Sequence, residues 1–356
     1  MFTSKRYCLS NRTVLSVLAT SILALAIFGL VAGRPVQAQS NDAYPYVAEW
    51  GGWGSDPGQF RFPVDVEASP TNPVGAVYVV DNNNHRIQRF TDLGEWQETI
   101  GGPNLGTGDG EFHDPSGIAV GLDGSVYIAD TVNARVQRYT TDGNWTSYSQ
   151  VDGTPIVFPR NVAVDADGGF YISDTNANAV HAFPGNDSTP FSWDVPQPFG
   201  IAVGPDGRVY VSSSSTNQLL IYDLNAPEFP TASESWSSDM TSGVPFNQIF
   251  DIDLDSQGNL YLVEITTHRV RVLTNTGELI AMWDSWNSST DGFLFPQGID
   301  VDARGYVYVA DGDHHRIVKF GLDTDGDDFT DPLDNCPSVY NPDQLDVNQD
   351  GFGDAC

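Results

Sequence analysis

Basic residues are scarce in this sequence of 356 residues. Lys and Arg together number 16 against 47 Asp and Glu, which gives a formal net charge of −31. Such a charge repels phosphate backbones and anionic lipid head groups, so nucleic acid is excluded as a partner. Short catalytic signatures are absent as well, because the chain contains no Gly-x-Ser-x-Gly, no His-Glu-x-x-His and no phosphate-binding glycine loop. The enzymes that those motifs mark are therefore not indicated.

Long apolar runs are also scarce, and the one that is present stands near the N-terminus. Three basic residues precede the apolar residues 14–32, and small residues that suit a cleavage site follow at 36–38. This pattern predicts an export signal over residues 1–38, followed by a linker at 39–45. The apolar run is also long enough to cross a bilayer, so an uncleaved N-terminal anchor is the alternative.

Cysteine is rare too, with three in the chain, and Cys8 lies within the predicted leader. Cys336 and Cys356 remain in the exported part. Because export leads to an oxidising compartment, a single disulfide is the default expectation. We therefore expect an extracellular or cell-surface protein that has no membrane span once its signal is removed.

Most of the remaining chain repeats one unit six times. Each unit has two short apolar strands joined by a turn, as at Val307-Tyr308-Val309 after Arg304-Gly305, and an acidic position follows the second strand. That position is occupied in turn by Asp81, Asp130, Asp174, Ser213, Glu264 and Asp311. Four strands every 40–50 residues or so are the pattern of a propeller blade. Since one blade cannot bury both of its faces, neighbouring blades must stack around an axis.

The two ends of the repeat region complement each other. The sixth unit ends at Phe320 without a fourth strand, whereas residues 47–52 resemble the fourth-strand residues 98–102 of the first unit. We therefore predict an all-β fold, a six-bladed β-propeller over residues 46–321 whose last blade is closed by the N-terminal strand. That pairing would remove an exposed sheet edge.

The units resemble NHL repeats. The resemblance is carried by Phe62-Pro63, by residues 81–87 and by residues 311–320, and it extends over nearly all of residues 50–320. It implies the six-bladed propeller of that family. The fourth unit, which has four serines at 212–215, is the most divergent copy.

An Asp-rich segment follows the repeats, at residues 322–356. It contains ten Asp and neither Lys nor Arg. Oxygen-bearing side chains at alternate positions let one curling loop direct several ligands at a calcium ion. The predicted calcium ligands are Asp323, Asp325, Asp327, Asp331, Asp334, Asp346, Asn348, Asp350 and Asp354. Folding of this segment is expected to depend on calcium, because the carboxylates repel one another without a cation; a solvated acidic tail is the alternative.

The same segment resembles a thrombospondin type 3 repeat, in residues 334–337, 341–344 and 353–356. The resemblance implies calcium ligands at the positions just given and a disulfide between Cys336 and Cys356. The segment departs from the pattern where Asp328 replaces the usual turn glycine. Its second loop also stops before the twelfth position, where the last calcium ligand would stand.

Some propellers with similar repeats are lyases or lactonases that hold a metal in the central channel. Peptide-amidating lyases, which this chain resembles in its repeat pattern, place histidines where the blade strands enter the channel, and this chain has none there. The residues expected at its channel mouth are Asp65, Ser116, Arg160, Asn161, Asp251 and Gln297. Ordinary polarity at the channel rim is the favoured interpretation of these residues; a cation shared by Asp65 and Asp251, or their pairing with Arg160, is the alternative.

Two other recurring patterns are interpreted as structural. Histidines stand at one equivalent position in three units, where a ring spreads side chains apart: His85, His268 and His315. Arginines follow the acidic position by five residues in four units, which predicts an ion pair within each of those blades: Arg86, Arg135, Arg269 and Arg316. His181 is isolated and is expected at the surface or in a turn.

The sequence favours a secreted or cell-surface binding and adhesion scaffold over an enzyme. Its propeller would recognise an extracellular protein, peptide or glycan, and its calcium-stabilised tail would space or rigidify it. The alternative is a channel-sited lyase or lactonase, of the peptide-amidating-lyase or gluconolactonase type, that uses Asp65, Asn161, Arg160 or Asp251. A passive structural component of the cell surface is a third possibility.

Overall fold

The computed structural model describes residues 44–70, 75–185, 188–226, 229–283 and 292–322, with scattered positions of the tail at 331, 336–339, 341, 345, 347 and 355–356. The predicted leader lies outside these residues. So do eight of the predicted calcium ligands: Asp323, Asp325, Asp327, Asp334, Asp346, Asn348, Asp350 and Asp354. No helix of the described residues is long and apolar enough to cross a membrane.

The described chain is built almost entirely from short strands. In chain order they are β1 (Tyr46–Gly51), β2 (Pro63–Ala68), β3 (Ala76–Asp81), β4 (Arg86–Thr91), β5 (Trp96–Gly101), β6 (Gly117–Val120), β7 (Val126–Asp130), β8 (Arg135–Tyr139), β9 (Trp145–Tyr148), β10 (Gln150–Val151), β11 (Thr154–Pro155), β12 (Pro159–Val164), β13 (Phe170–Asp174), β14 (Ala179–Phe183), β15 (Phe191–Asp194), β16 (Pro198–Val203), β17 (Val209–Ser213), β18 (Gln218–Tyr222), β19 (Glu234–Trp236), β20 (Ile249–Leu254), β21 (Leu260–Glu264), β22 (Arg269–Leu273), β23 (Leu279–Trp283), β24 (Pro296–Val301), β25 (Val307–Asp311) and β26 (Arg316–Phe320). Two single-turn 3₁₀ helices, at Asn82–Asn84 and Gly312–His314, are the helical elements among these residues.

These strands form six four-stranded antiparallel sheets, which are the blades. Blades 1 to 5 are β2–β5, β6–β9, β12–β15, β16–β19 and β20–β23, each with its strands in chain order. Blade 6 has the order β1-β26-β25-β24, so its outer strand comes from the other end of the propeller sequence. In that pairing Trp50 lies opposite Ile317, and Gly51 lies opposite Arg316. A short hairpin of β10 and β11 stands between blades 2 and 3.

The hydrophobic core is divided among the seams, as we call the interfaces between consecutive blades. Six apolar clusters occur in the described residues, and each joins two neighbouring blades. At the seam between blades 6 and 1, for example, Phe60, Phe90 and Tyr308 are almost fully buried. Because every blade shares its apolar residues with both neighbours, the blades stack around a central axis. The predicted all-β, six-bladed propeller is confirmed.

A buried acid at the end of the second strand organises most blades. Asp81, for example, accepts a hydrogen bond from the backbone N–H of Arg61 at 2.7 Å and from Arg86 Nε at 2.6 Å. The four predicted ion pairs are confirmed: Arg86–Asp81, Arg135–Asp130, Arg269–Glu264 and Arg316–Asp311. The acid thereby ties the third strand to the loop that precedes the first strand.

The prediction for His181 was wrong. Its side chain is 1% exposed, and its ring nitrogens contact Asp174 Oδ2 at 3.2 Å and Ser192 Oγ at 2.7 Å. It lies seven residues after Asp174. At the equivalent position, blades 1 and 2 have Gln88 and Gln137, which hydrogen-bond to Asp81 and Asp130. His181 is thus the polar partner of a buried acid, and a single copy of the unit does not reveal that role.

The tail residues that are described include both remaining cysteines. Cys336 and Cys356 form a disulfide with their Cα atoms 5.6 Å apart. The backbone N–H of Asp331 donates to the carbonyl of Leu322 at 2.6 Å.

Candidate channel site

The first strand of each blade lines the central channel. At the channel mouth, as we call the end where these strands begin, a cavity of about 10 Å³ is present. A second cavity, of about 80 Å³, lies in the middle of the channel. A third, of about 260 Å³, lies where the first two strands of the blades are joined by turns. A water molecule needs roughly 10–15 Å³, so the mouth is narrow and the opposite end is wide.

The six residues predicted for the channel meet at the mouth. Together with Val64 and Phe250 they line its cavity: Asp65, Ser116, Arg160, Asn161, Asp251 and Gln297. All of them are buried except Arg160, which is half-buried.

Alternate blades supply polar side chains to the channel axis. Asp65, Asn161 and Asp251 hold one equivalent position in blades 1, 3 and 5, and glycines hold it in blades 2, 4 and 6. A Cβ atom on Gly298 would lie 2.5 Å from the Cα of Asp65. A Cβ on Gly117 would lie 2.6 Å from the Cα of Asn161, and a Cβ on Gly200 would lie 2.7 Å from the Cα of Asp251. These glycines let neighbouring strands approach each other. The side chains that reach the channel axis from this position are therefore those of Asp65, Asn161 and Asp251.

Asp251 contacts both of the other side chains. Asn161 Nδ2 donates to Asp251 Oδ1 at 2.6 Å, and Asp251 also shares a side-chain hydrogen bond with Asp65. Each carboxylate reaches across a seam as well, since Asp65 Oδ2 accepts the backbone N–H of Ile118 at 2.8 Å. Asp251 Oδ2 likewise accepts the backbone N–H of Ile299 at 2.9 Å. The carboxylates therefore bridge adjacent blades and also meet in the channel.

The environment of this pair favours protonation. Burial, together with the charge of Asp251, raises the pKa of Asp65 well above its usual range. Burial also raises the pKa of Asp251 to about 6. Two carboxyl groups in contact cannot both ionise easily, so the pair retains a proton near neutral pH.

Arg160 lies beside Asp65 and Asp251, and its guanidinium contacts two aromatic rings. Its guanidinium carbon is 4.3 Å from the ring centre of Phe250 and 5.5 Å from that of Phe199. Its Nη2 donates to Gln297 Oε1 at 3.3 Å. Burial lowers the pKa of Arg160 to about 10, although the charges of Asp65 and Asp251 raise it. Arg160 thus stays charged at neutral pH, and among the described residues it forms no ion pair within 4.0 Å.

A second layer of acids lies deeper in the channel, and the sequence interpretation missed it. Val120 N–H donates to Glu67 at 3.1 Å, Val301 N–H to Asp253 at 2.7 Å, and Ala68 N–H to Asp300 at 3.1 Å. These hydrogen bonds cross the seams between blades 1 and 2, 5 and 6, and 6 and 1. The sequence contains a signal for this layer, because residues i and i+2 of a strand face the same side of the sheet. Glu67, Asp253 and Asp300 each stand two residues after Asp65, Asp251 or Gly298.

Burial also raises the pKa of these deeper acids. The pKa of Asp253 rises to about 7, and those of Glu67 and Asp300 rise well above their usual range. The side chains of Glu67 and Asp300 share a hydrogen bond. Among the described residues, these two layers therefore hold five carboxyl groups, and Arg160 is the cation beside the upper two.

The donor chemistry of the mouth suits a hard divalent cation. Mg²⁺ and Ca²⁺ prefer oxygen ligands, and Mg²⁺ is commonly held by one or two carboxylates and retains several waters. No group of three or more His, Cys, Asp or Glu side chains is arranged to hold a metal in the part of the chain that the structure describes. The mouth instead offers two carboxylates and Asn161, whose amide oxygen accepts the backbone N–H of Val162 at 2.7 Å and has a second lone pair for an ion.

Known structures share this fold. A gluconolactonase from Xanthomonas campestris superposes with a TM-score of 0.58 at 15% identity, covering 74% of this chain and 88% of that chain. A virginiamycin B lyase from Staphylococcus aureus gives a TM-score of 0.52 at 18% identity, covering 79% of this chain and 96% of that chain. Among curated proteins, human E3 ubiquitin-protein ligase TRIM32 is 23% identical over an alignment of 292 residues that covers 77% of this chain. The chain spans 38% of the length of that relative.

Family models match most of the propeller. Residues 112–139 match the NHL repeat, which confirms the resemblance drawn from the sequence. Residues 158–352 match the SMP-30/Gluconolactonase/LRE-like region. Since that second match covers more than half of the 356 residues, the chain belongs to the SMP-30/gluconolactonase/LRE-like family.

Proposed function

We propose that this protein is a channel-sited hydrolase of the lactonase type, which opens a small cyclic ester with the help of a divalent cation. The observation that carries the proposal is the convergence of Asp65, Asn161 and Asp251 on the channel axis, beside the clamped Arg160. Membership of the family supports it. The fold shared with a gluconolactonase and a lyase is consistent with it.

The residues at the mouth have distinct roles in this proposal. Asp65, Asn161 and Asp251 would hold the cation, which when bound would polarise the ester carbonyl. A guanidinium has five N–H donors, and among the described residues Arg160 hydrogen-bonds to Gln297 alone. Its other donors would orient the oxygens of the substrate. Cation binding would displace the proton that the Asp65–Asp251 pair retains in the cation-free channel, because carboxylate ligands must be ionised.

The size of the mouth limits where the substrate lies. A cavity of about 10 Å³ holds a single water and not a sugar-sized ring. The body of the substrate would therefore lie outside the channel, against Arg160 and Phe250. Only the carbonyl group of the substrate would reach towards Asp65, Asn161 and Asp251.

An assay against a panel of five- and six-membered lactones tests the proposal. We expect hydrolysis that EDTA abolishes and that Mg²⁺, Ca²⁺ or Mn²⁺ restores. Asp251→Asn and Asn161→Ala should each lower kcat/KM at least 100-fold, roughly the loss of one preorganised catalytic contact. Asp142→Asn, at an exposed turn, should leave it unchanged. Absence of turnover across the panel with every cation would overturn the proposal.

A binding scaffold without catalysis is the second candidate, and a separate observation favours it. Large apolar side chains are exposed in the loops that precede the first strands, on the same side as the mouth. Trp53 is 66% exposed, Leu105 56% and Phe295 43%. Exposed apolar surface of this kind suits recognition of an extracellular protein, peptide or glycan.

Capture from extracellular material separates the two candidates. If the scaffold reading holds, the wild-type protein retains a specific partner and a Trp53→Ala, Phe295→Ala variant loses it. Asp251→Asn should still retain that partner. If the loop variant and the wild type retain the same material, the scaffold reading fails.

We further propose that the protein is exported and that its tail, residues 322–356, binds calcium. The predicted ligands remain the alternating Asp and Asn residues of that segment, and the Cys336–Cys356 disulfide closes it. Intact mass of the secreted protein tests the leader, since cleavage after residue 38 should leave a chain that begins at Gln39. Calcium titration in the presence and absence of a reductant tests the tail.

A further inference from the structure

Most seams carry a side chain that binds the backbone just before the next blade begins. The acceptor lies in the turn between the second and third strands, and the donor is a backbone N–H one to three residues ahead of the next inner strand. We call these contacts seam latches. They are His85 Nδ1 with Asp114 N–H at 3.2 Å, Asn178 Oδ1 with Gln197 N–H at 3.1 Å, Asn217 Oδ1 with Gln248 N–H at 2.7 Å, His268 Nδ1 with Phe295 N–H at 2.9 Å, and His315 Nδ1 with Phe62 N–H at 3.2 Å.

The latches share one backbone geometry. Every acceptor residue has a left-handed backbone, with φ between 52° and 58°, and every donor residue has φ between 41° and 62°. Blade 2 has the same backbone at Ala134, with φ of 53°, but alanine has no acceptor atom. Histidine and asparagine are thus alternative acceptors at one conserved geometry within this ring.

The two kinds of acceptor differ in their response to acid. Histidine accepts through Nδ1 when that nitrogen carries no proton, and in the imidazolium form both ring nitrogens are donors. Histidine is also the side chain that ordinarily changes charge between pH 5 and 8. The Asn178 and Asn217 latches do not titrate. The latched seams therefore fall into two classes: those with a histidine acceptor, which can be protonated, and those with an asparagine acceptor, which cannot.

His85 has a neighbour that would replace its latch. Asp114 Oδ1 lies 3.1 Å from His85 Nδ1, and the ring of His113 stands edge-on with the centroids 5.8 Å apart. A protonated His85 would donate to that carboxylate. The seam between blades 1 and 2 would then exchange one contact for another.

His268 and His315 have no such replacement among the described residues, where no carboxylate oxygen lies within 4.0 Å of their ring nitrogens. His268 packs edge-on against the Phe295 ring, with the centroids 4.9 Å apart. The titratable side chains beside the two histidines already have partners: Arg269 with Glu264, His314 with Asp311, and Arg316 with Asp311 and Glu49.

We propose that His268 and His315 are an acid-sensitive device that loosens the mouth-side edge of blade 6. They latch this edge on both seams of the blade, to blade 5 through Phe295 and to blade 1 through Phe62, while the apolar clusters hold the rest of those seams. Protonation of both imidazoles removes both latches. This edge carries Gln297, the partner of Arg160, so loss of the latches loosens the channel mouth in mildly acidic surroundings.

Hydrogen exchange of single amides tests this proposal in the intact protein. With ¹⁵N-labelled Phe and Gln, and after correction for the intrinsic pH dependence of exchange, protection at Phe62 and Phe295 should fall at least 10-fold between pH 7.5 and pH 5.5. The asparagine-latched amides of Gln197 and Gln248 should keep their protection. They are internal controls, so the wild type alone decides the question.

A His268→Asn, His315→Asn variant provides the matched comparison, because asparagine already serves at this geometry in blades 3 and 4. Its Phe62 and Phe295 amides should stay protected at pH 5.5. Its Tm should fall less than that of the wild type over the same range, by roughly 2–6 °C. Unchanged protection of Phe62 and Phe295 in the wild type at pH 5.5 would overturn the proposal. Equal loss in the variant would do so as well.

Discussion

Replacing Asp253 with Asn should stabilise the protein at pH 8 and leave its stability at pH 5 nearly unchanged. Asp253 lies in the second layer of channel acids, where it accepts the N–H of Val301 at 2.7 Å. Burial, with a contribution from the charges of Asp251 and Asp255, raises its pKa from 3.8 to about 7. An Asn oxygen can accept the same hydrogen bond, and the amide stays neutral at every pH.

The sign and size follow from proton linkage. A carboxyl group whose pKa is raised in the folded state contributes stability that is complete below the unfolded pKa, near 4. That contribution is lost as the pH rises through the folded pKa, near 7 for this group. A rise of about three pKa units corresponds to about 4 kcal/mol. Because the channel acids influence one another, we expect Asp253→Asn to be more stable than the wild type by about 2–4 kcal/mol at pH 8.

Urea unfolding followed by tryptophan fluorescence, at pH 5, 6, 7 and 8 in the presence of EDTA, measures this difference. EDTA keeps cations from neutralising the channel. Asp142→Asn, at an exposed turn, is the control for loss of one negative charge from a protein of net charge −31. The reasoning is refuted if Asp253→Asn is no more stable than the wild type at pH 8, or if its advantage is the same at pH 5.

Three further predictions concern other parts of the chain. Arg271 is fully buried and pairs with Asp239 at 2.9 Å and Glu264 at 3.1 Å, so Arg271→Met should lower the free energy of unfolding by about 3–5 kcal/mol. Arg138→Met, at a half-exposed pair with Asp123, should lower the free energy of unfolding by about 1 kcal/mol or less. If urea unfolding shows the same loss for Arg271→Met and Arg138→Met, burial does not decide the strength of these pairs. A chain that lacks residues 44–51 leaves the edge of β26 unpaired, and we expect a lower Tm together with self-association in light scattering. A chain that stays monomeric with the wild-type Tm would show that β1 is dispensable. Calcium should raise the Tm of the tail transition in calorimetry, and Asp325→Asn should weaken that response; a response that the substitution leaves intact would remove Asp325 from the ligand set.

The parts of the fold that repeat were predictable from the sequence, because repetition turns one weak signal into six. The acid at position 81 and its equivalents, with an arginine five residues later, predicted the buried ion pairs that the structure contains. The six-bladed ring followed from the same periodicity. Asp65 and Asp251 were found because they hold one position of the unit, two residues after the proline or isoleucine that begins the inner strand.

Features outside the repeat could not be predicted in this way. Arg271 bonds to Asp239, which lies in the loop after β19, where the unit has no fixed length. His181 occurs once at its position, so its role is visible only when Asp174 is placed beside it. The seam latches pair residues 19 to 253 positions apart, and no local pattern links a histidine or asparagine to a backbone N–H of the next blade.

The most direct test of the account is a crystal structure of the full chain soaked in Mn²⁺ or Ca²⁺, with anomalous differences measured along the propeller axis. The account predicts a peak at the channel mouth within coordination distance of Asp65, Asn161 and Asp251, and its loss in Asp251→Asn. Peaks confined to the Asp-rich tail, with the mouth empty at the same cation concentration, would contradict it.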